Sequence, residues 1–173
     1  MKLNSEKFNF KEINENINLI YYDENVLKFW TPKILIPFGL ENEYNKYIVK
    51  LELDKDEYDN KEHQVLKKLI LHIENIIKKK KDIEDIEFKS IIKNRVNKSD
   101  LIECRLKNLK GNIGTICEYK DKENNYLKTI FDMPKNSYVK AQIEINGLWD
   151  YRTDKKEKNK TGLIVYVNKL IIL

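Results

Sequence analysis

The hydrophobic pattern of this chain changes period twice, and that limits the fold more than any single residue does. In "KYIVKLELD", Tyr47, Val49, Leu51 and Leu53 share one face, while Ile48, Lys50, Glu52 and Asp54 share the other. That two-residue repeat belongs to a strand with one wet side. In "DNKEHQVLKKLILHIENIIKKKK", Leu66, Leu69, Ile70, Ile73, Ile76 and Ile77 recur at three- and four-residue spacing. This is the stripe of an amphipathic helix, with Asp59 or Asn60 to cap its start and Lys78 to Lys81 at the end that favours cations. From about residue 100 the alternation returns. Ile102, Cys104 and Leu106 oppose Glu103, Arg105 and Lys107; Val139, Ala141, Ile143 and Ile145 oppose Lys140, Gln142, Glu144 and Asn146. Leu163 to Ile172 is apolar on both faces, as a strand central to a barrel would be. The expected fold class is therefore mainly β with one clear helix (α+β), a small antiparallel barrel or sandwich.

Shorter segments fill in the outline. Residues 1–16 read as an arm in which Phe8 and Phe10 alternate with polar residues, able to dock as an edge strand or to stay mobile. "INLIYY" is a strand ending in a turn at Asp23-Glu24-Asn25. Pro32 and Pro37 exclude a helix across "VLKFWTPKILIPFGLENEY" and break it into extended pieces. Phe38, beside Gly39, is expected to plug a barrel end, and Trp30, next to Thr31-Pro32, to sit at a bend rather than in a strand. "IEDIEFKSIIKN" fits a short helix or a strand equally, and "NIGTICEYK" and "YLKTIF" flank "DKENN" as a hairpin. With no repeat and no linker, residues 1–173 are expected to form one domain.

Several chemistries find no support. The phosphate-loop, dinucleotide and nucleophile-elbow motifs are missing from the sequence. His63 and His72 lie nine residues apart on one helix, not at the i, i+4 spacing of a helical zinc site. Cys104 and Cys117 fall on inward faces as small hydrophobes. Gly111 and Gly114 make a G-x-x-G, but "TICEYK" after it alternates like a strand, so a glycine-rich turn is the better reading than a KH loop. No catalytic residue, metal or cofactor is therefore expected, and the protein is expected not to be an enzyme. The N-terminal "MKLNSEKFNFKEINEN" lacks an apolar signal region. No apolar run approaches the ~18 residues a membrane-spanning helix needs. An intracellular protein with no membrane partner is the expectation.

The positive expectation comes from "LWDYRTDKKEKNKTGLIVYV" (148–167), which sets Trp149 and Tyr151 before a lysine-laden loop. Rings beside cations suit a single-stranded polyanion whose bases stack. Lys and Arg number 33 against 28 Asp and Glu, a net charge of +5 that permits such a partner without demanding it. Arg95, Arg105 and Arg152 are the only arginines, so contacts are expected to be sequence-tolerant. The abundance of Lys, Asn and Ile also fits an AT-rich coding sequence. The expected binding residues are Trp30, Tyr119, Trp149, Tyr151 and Tyr166 for stacking, and Lys140, Arg152, Lys155, Lys156 and Lys158 for phosphate. Tyr166 shares a mixed face with Asn168. The alternative for Trp149 is the core: it continues the odd-numbered apolar face of Val139 to Ile145 unless a bulge at Gly147 flips the register. The alternative for the lysine loop is a solvated turn.

"FWTPKILIPFGLENEYNKYIVKLEL" followed by a helix, and "YVKAQIEINGLWDY" with "KTGLIVYVNKLII" at the end, are similar to the OB-fold single-stranded DNA-binding proteins of large nucleocytoplasmic DNA viruses. The resemblance lies in Thr31-Pro32, Pro37-Phe38-Gly39, Trp149 and Gly162, and it spans about a third of the chain. It implies an OB-like five-stranded barrel with additions and non-catalytic binding of single-stranded DNA in viral replication, recombination or repair. It also implies a place in the cytoplasm or nucleus of an infected cell. RNA is the alternative ligand, and a homo-oligomer or a replication protein the implied protein partner. More candidate strands than five are present, residues 82–100 match nothing in that family, and the chain ends in "NKLIIL" rather than an acidic tail. A protein-interaction or virion-assembly module on a barrel or sandwich is the competing function.

Overall fold

Period-two segments that cannot bury both faces alone close on one another here. The computed structural model describes residues 3–43, 46–53, 61–83, 87–109, 112–120, 125–127, 130–151 and 160–173. In chain order the strands are β1 (Phe8–Asn14), β2 (Ile17–Tyr22), β3 (Leu27–Trp30), β4 (Ile34–Ile36), β5 (Leu40–Glu43) and β6 (Lys46–Leu53). The helix α1 (Lys61–Lys81) follows, then β7 (Glu87–Lys89), β8 (Ile92–Lys93) and β9 (Asp100–Leu106). The small strands β10 (Asn108–Leu109), β11 (Asn112–Ile113), β12 (Ile116–Lys120) and β13 (Asn125–Leu127) lead to the long β14 (Ser137–Asp150) and β15 (Lys160–Ile172). The chain is mainly β, with one helix longer than a single turn among the described residues.

Five strands form a closed ring. β4 pairs with β6, β6 with β9, β9 with β15, β15 with β14, and β14 returns to β4. Numbered by chain order, the ring runs first, second, third, fifth, fourth, first. Every junction is antiparallel except the third with the fifth, where β9 and β15 run parallel. Closure removes sheet edges and gathers one apolar interior, in which Ile34, Ile36, Val49, Leu51, Ile102, Val139, Ala141, Ile143, Val167 and Leu170 are fully buried.

β14 organises the wall. On one edge it follows β15 along its whole length; on the other it meets β4, β3 and β2 in succession. β3 and β4 are thus one strand bent at Thr31-Pro32. Thr31 closes the bend: its backbone N–H donates to the Ala141 carbonyl at 2.8 Å, and its Oγ1 accepts from the Ala141 N–H at 2.9 Å. The β1–β2 hairpin lengthens the sheet, so the N-terminal segment docks as an edge strand with Phe8 buried.

The helix lies across the end of the barrel where β4, β9 and β15 begin. His63 Nε2 is 2.8 Å from the Lys33 carbonyl, Lys67 pairs with Asp100 at 2.7 Å, and Lys80 Nζ donates to the Phe8 carbonyl at 2.8 Å. Leu66, Ile70, Ile73, Ile76 and Ile77 form its buried face. No helix among the described residues is long and apolar enough to cross a membrane.

Three local expectations resolve differently or more sharply. Phe38 does not plug the barrel; it is 40% exposed, because the turn lays Gly39 (φ +71°), not the ring, against Met133 and Lys135. Trp30 is not outside a strand: it ends β3, paired with Gln142. Residues 87–89 and 92–93 are strands, not a second helix. Asp59, Asn60 and Gly111 lie outside the described residues, whereas β10–β11 forms a hairpin leading to β12.

Thr31→Val keeps the shape of a 3%-exposed side chain but orphans the Ala141 N–H. A loss of about 1–3 kcal/mol follows from an unsatisfied buried donor. Chemical denaturation measures it, and an unchanged midpoint would mean that the hydroxyl does not hold the bend.

Candidate functional site

The wall of the barrel has a gap, and its origin is in the ladder of β15. One edge of β15 pairs with β7 at 160–162 and with β9 at Tyr166 and Val167. Leu163, Ile164 and Val165 between them meet neither strand. The resulting cleft of about 270 Å³ is lined by Lys89, Ser90, Ile91, Lys93, Glu103, Arg105, Trp149, Leu163 and Val165.

Trp149 faces this cleft because the register of β14 breaks. Ile145 lies opposite Val165 and Gly147 opposite Ile164, so Asn146 is an extra residue on β14. A bulge of this kind exchanges the two faces of a strand. Beyond it Leu148 is fully buried and Trp149 is only partly covered. Gly147 permits the strand contact that accompanies the bulge; a Cβ there would stand 2.7 Å from the Asn18 carbonyl oxygen. The indole lies over Gly162, where a Cβ would stand 2.7 Å from Cζ2 and 2.9 Å from Cε2. The Tyr151 ring is 5.5 Å away, tilted by 39°, within the range of favourable aromatic pairs.

Lys89, Lys93 and Arg105 outnumber Glu103 at the cleft. Lys93 donates to the Ser90 carbonyl at 3.1 Å, whereas Lys89 and Arg105 form no ion pair among the described residues. The segment carrying both lysines is tied to the helix by the buried Glu74. Its Oε1 accepts from the Ile91 N–H and the Ser90 hydroxyl, each at 3.0 Å. Burial pushes the Glu74 carboxyl above its ordinary pKa, while these two donors, Lys78 and Lys93 pull the other way.

A second hollow, about 140 Å³, begins on the other side of Arg105, between Lys46, Tyr47, Lys107, Ile113 and Tyr166. Its Lys107 is held by Glu144, at 3.1 and 3.2 Å, and Lys28 and Asn146 also reach that carboxylate, at 3.3 and 3.1 Å. Burial alone would raise the Glu144 pKa. The hydrogen bonds from Lys107, Asn146 and Lys28 outweigh it and hold the carboxyl below its ordinary value. The Cys104 thiol is pushed up by burial and then by Glu103, so it stays protonated.

The sequence-derived residues do not form one patch. Trp149 and Tyr151 come together at the first cleft, and Tyr166 lies beside Arg105 at the second. Tyr166 and Asn168 are both half-buried on either side of the fully buried Val167, and Asn168, the extra residue of a second register break, bonds Gln142 at 2.7 Å. Trp30, 44% exposed, and Lys140 lie on the outer sheet near Gln142, roughly 20 Å along β14 from Trp149 at the usual strand rise. The backbone of Tyr119 sits in β12 opposite Tyr126 and beside Ile172. Arg152, Lys155, Lys156 and Lys158 lie outside the described residues.

Lys89, Lys93, Glu103 and Arg105 were not singled out from sequence as site residues. The outward phase of Arg105 was visible in the alternation of β9. Lys89 and Lys93 required choosing the strand alternative for residues 83–94. No group of three or more potential metal-ligating side chains occurs among the described residues.

No family model matches the chain. It is 30% identical over 115 residues, 62% of its length, to human structural maintenance of chromosomes protein 4. It spans 9% of the length of that protein.

Gly162→Ala forces the indole or the Lys89 carbonyl to move, since the new Cβ would also stand 3.0 Å from that oxygen. The expected result is a shifted tryptophan emission with a stability loss of about 1–3 kcal/mol, typical of overpacking; unchanged emission would contradict the stacking of Trp149 on Gly162. For Glu144 the folded carboxyl is depressed, so its stabilisation is present at neutral pH and lost as pH falls through the folded value. Glu144→Gln should therefore be less stable than the parent at pH 7. The gap should close in acid, as followed by thermal melts across pH; a gap independent of pH would exclude the ionised form as its source.

Proposed function

We propose that this protein is a non-catalytic single-strand nucleic-acid-binding protein, with DNA as the ligand and replication, recombination or repair as the setting. The observation that carries the reading is Trp149. The Asn146 bulge turns its ring out of the barrel into a cleft bearing Lys89, Lys93 and Arg105. A base stacking on such a ring contributes about 1–3 kcal/mol, and the cations lie where a backbone phosphate next to that base would pass.

The barrel supports the finer reading as an OB-like fold. A five-stranded Greek-key barrel that binds oligonucleotides uses the face of its second and third strands and the loop between its fourth and fifth. Here Arg105 and Glu103 stand on the third strand, Trp149 stands at the end of the fourth, and Tyr151 follows just after it, at the start of that loop. The helix falls between the second and third strands, with hairpins between the third and fourth; this is an elaboration that leaves the ring order intact. The likeness to a segment of a chromosome-maintenance protein is in keeping with a polynucleotide partner.

A second reading draws on a different surface. Trp30 and Tyr138 are 44% and 49% exposed on the outer sheet, with the Lys33 ammonium 4.5 Å from the Tyr138 ring centre. That patch favours a protein-interaction or assembly module. A homo-oligomer in light scattering that is dispersed by Trp30→Ala and indifferent to DNA would support it.

The test of the first reading is the anisotropy of a labelled oligo-thymidine titrated across salt. Three phosphate contacts predict a slope of log K on log salt of about −2. Trp149→Ala should weaken binding by about 1–3 kcal/mol, while Trp30→Ala should not. Salt-independent binding, or a folded Trp149→Ala protein that binds like the parent, would overturn the reading.

A further inference from the structure

Glu103 is out of place in a simple phosphate-binding cleft. It is half-buried beside three cations and would repel the polyanion that they attract. Its natural neutraliser is Lys50, directly across the β6–β9 ladder. That ammonium is already held by Glu41 and Glu43, each at 2.9 Å. Glu103 itself makes no ion pair or side-chain hydrogen bond among the described residues. The carboxylate is thus an uncommitted acceptor facing the cleft that contains Trp149.

Two residues further along the same strand, and therefore on the same face, stands Arg105, which likewise makes no ion pair or side-chain hydrogen bond among the described residues. Their backbone positions are roughly 7 Å apart, about the width of a purine. A carboxylate only accepts hydrogen bonds and a guanidinium only donates them. Guanine matches that order: N1–H and the N2 amino group donate along one edge, while O6 and N7 accept along another. Thymine offers one donor and no N7, whereas cytosine and adenine each put a single amino group on the donor side.

We propose that the Trp149 cleft selects an unpaired guanine within a single strand, with Glu103 reading N1–H and N2, Arg105 reading O6 and N7, and Trp149 stacking on the ring. Lys89 and Lys93 then serve the adjoining phosphates. This rests on the single-strand reading of the same cleft and makes the contacts there less sequence-tolerant than the scarcity of arginine suggests.

The test is competition against labelled oligo-thymidine by oligo-thymidines carrying one central guanine, inosine, 7-deazaguanine, cytosine or adenine; a single guanine also avoids quadruplexes. The guanine strand should compete roughly tenfold better than plain oligo-thymidine, as expected for bidentate base contacts. Inosine, lacking the N2 amino group, and 7-deazaguanine, lacking N7, should each lose part of that gain. Glu103→Ala, which leaves no side-chain acceptor at that position, should erase the guanine–inosine difference. Equal competition by all strands, or a guanine–inosine difference that survives Glu103→Ala, would overturn the proposal while leaving single-strand binding intact. No binding of any single strand would instead remove the reading beneath it. Free dGMP identifies the source of the base: displacement only at concentrations far above that of the guanine strand fits a strand-borne guanine, and equal potency overturns it.

Discussion

The site depends on one extra residue in one strand. β14 seals the barrel by running along β15 for its whole length, and a strand that long with strict alternation would bury every odd-numbered side chain. Asn146 interrupts it. Before the bulge, Val139, Ala141, Ile143 and Ile145 fill the interior; after it, Leu148 takes over that duty and Trp149 is released to the outside. The interior loses no hydrophobic filling, and the outer surface gains a ring. Gly147 and Gly162, both beyond the break, are the positions where backbone and indole approach too closely for a side chain.

The cleft in front of that ring is likewise a consequence of pairing. β9 and β15 are the third and fifth barrel strands, and they are joined parallel through only Tyr166–Arg105 and Val167–Leu106. Below that short contact the wall is completed by β7 and β8, which are too short to fill it. Glu74 holds their connecting segment to the helix through the Ile91 N–H and the Ser90 hydroxyl. The helix therefore does two things. It covers the barrel end with its isoleucine face, and it fixes the segment that carries Lys89 and Lys93.

Much of the architecture was legible in local pattern. The helix, the inward faces of β6, β9 and β14, and the two-sided burial of Leu163, Ile164 and Val165 follow from periodicity, because burial acts on each side chain by its phase; Tyr166, Asn168, Lys169 and Ile171 further along β15 are only half-buried. What was not legible is non-local. Whether Trp149 lies in or out hinges on a bulge, for which Gly147 was the only local hint. The lysines of the cleft sit in a segment whose short apolar run fits helix and strand alike. Phe38 was expected to plug a barrel end beside Gly39, but it is 40% exposed, and it is the left-handed Gly39 that lies against Met133 and Lys135. Trp30 and Lys140 share the aromatic-plus-lysine composition of a binding surface but lie elsewhere on the sheet, since composition does not encode which edge of β14 a partner strand takes.

The central claim is that Trp149 is a ligand-facing ring, and a protein with a single tryptophan tests it most directly. In Trp30→Phe the emission comes from Trp149 alone. Titration with oligo-thymidine at low salt should quench it strongly, with recovery as salt is added and little response to duplex. Emission from Trp149 that stays constant while the strand is demonstrably bound would place the ligand elsewhere on the barrel and contradict the account.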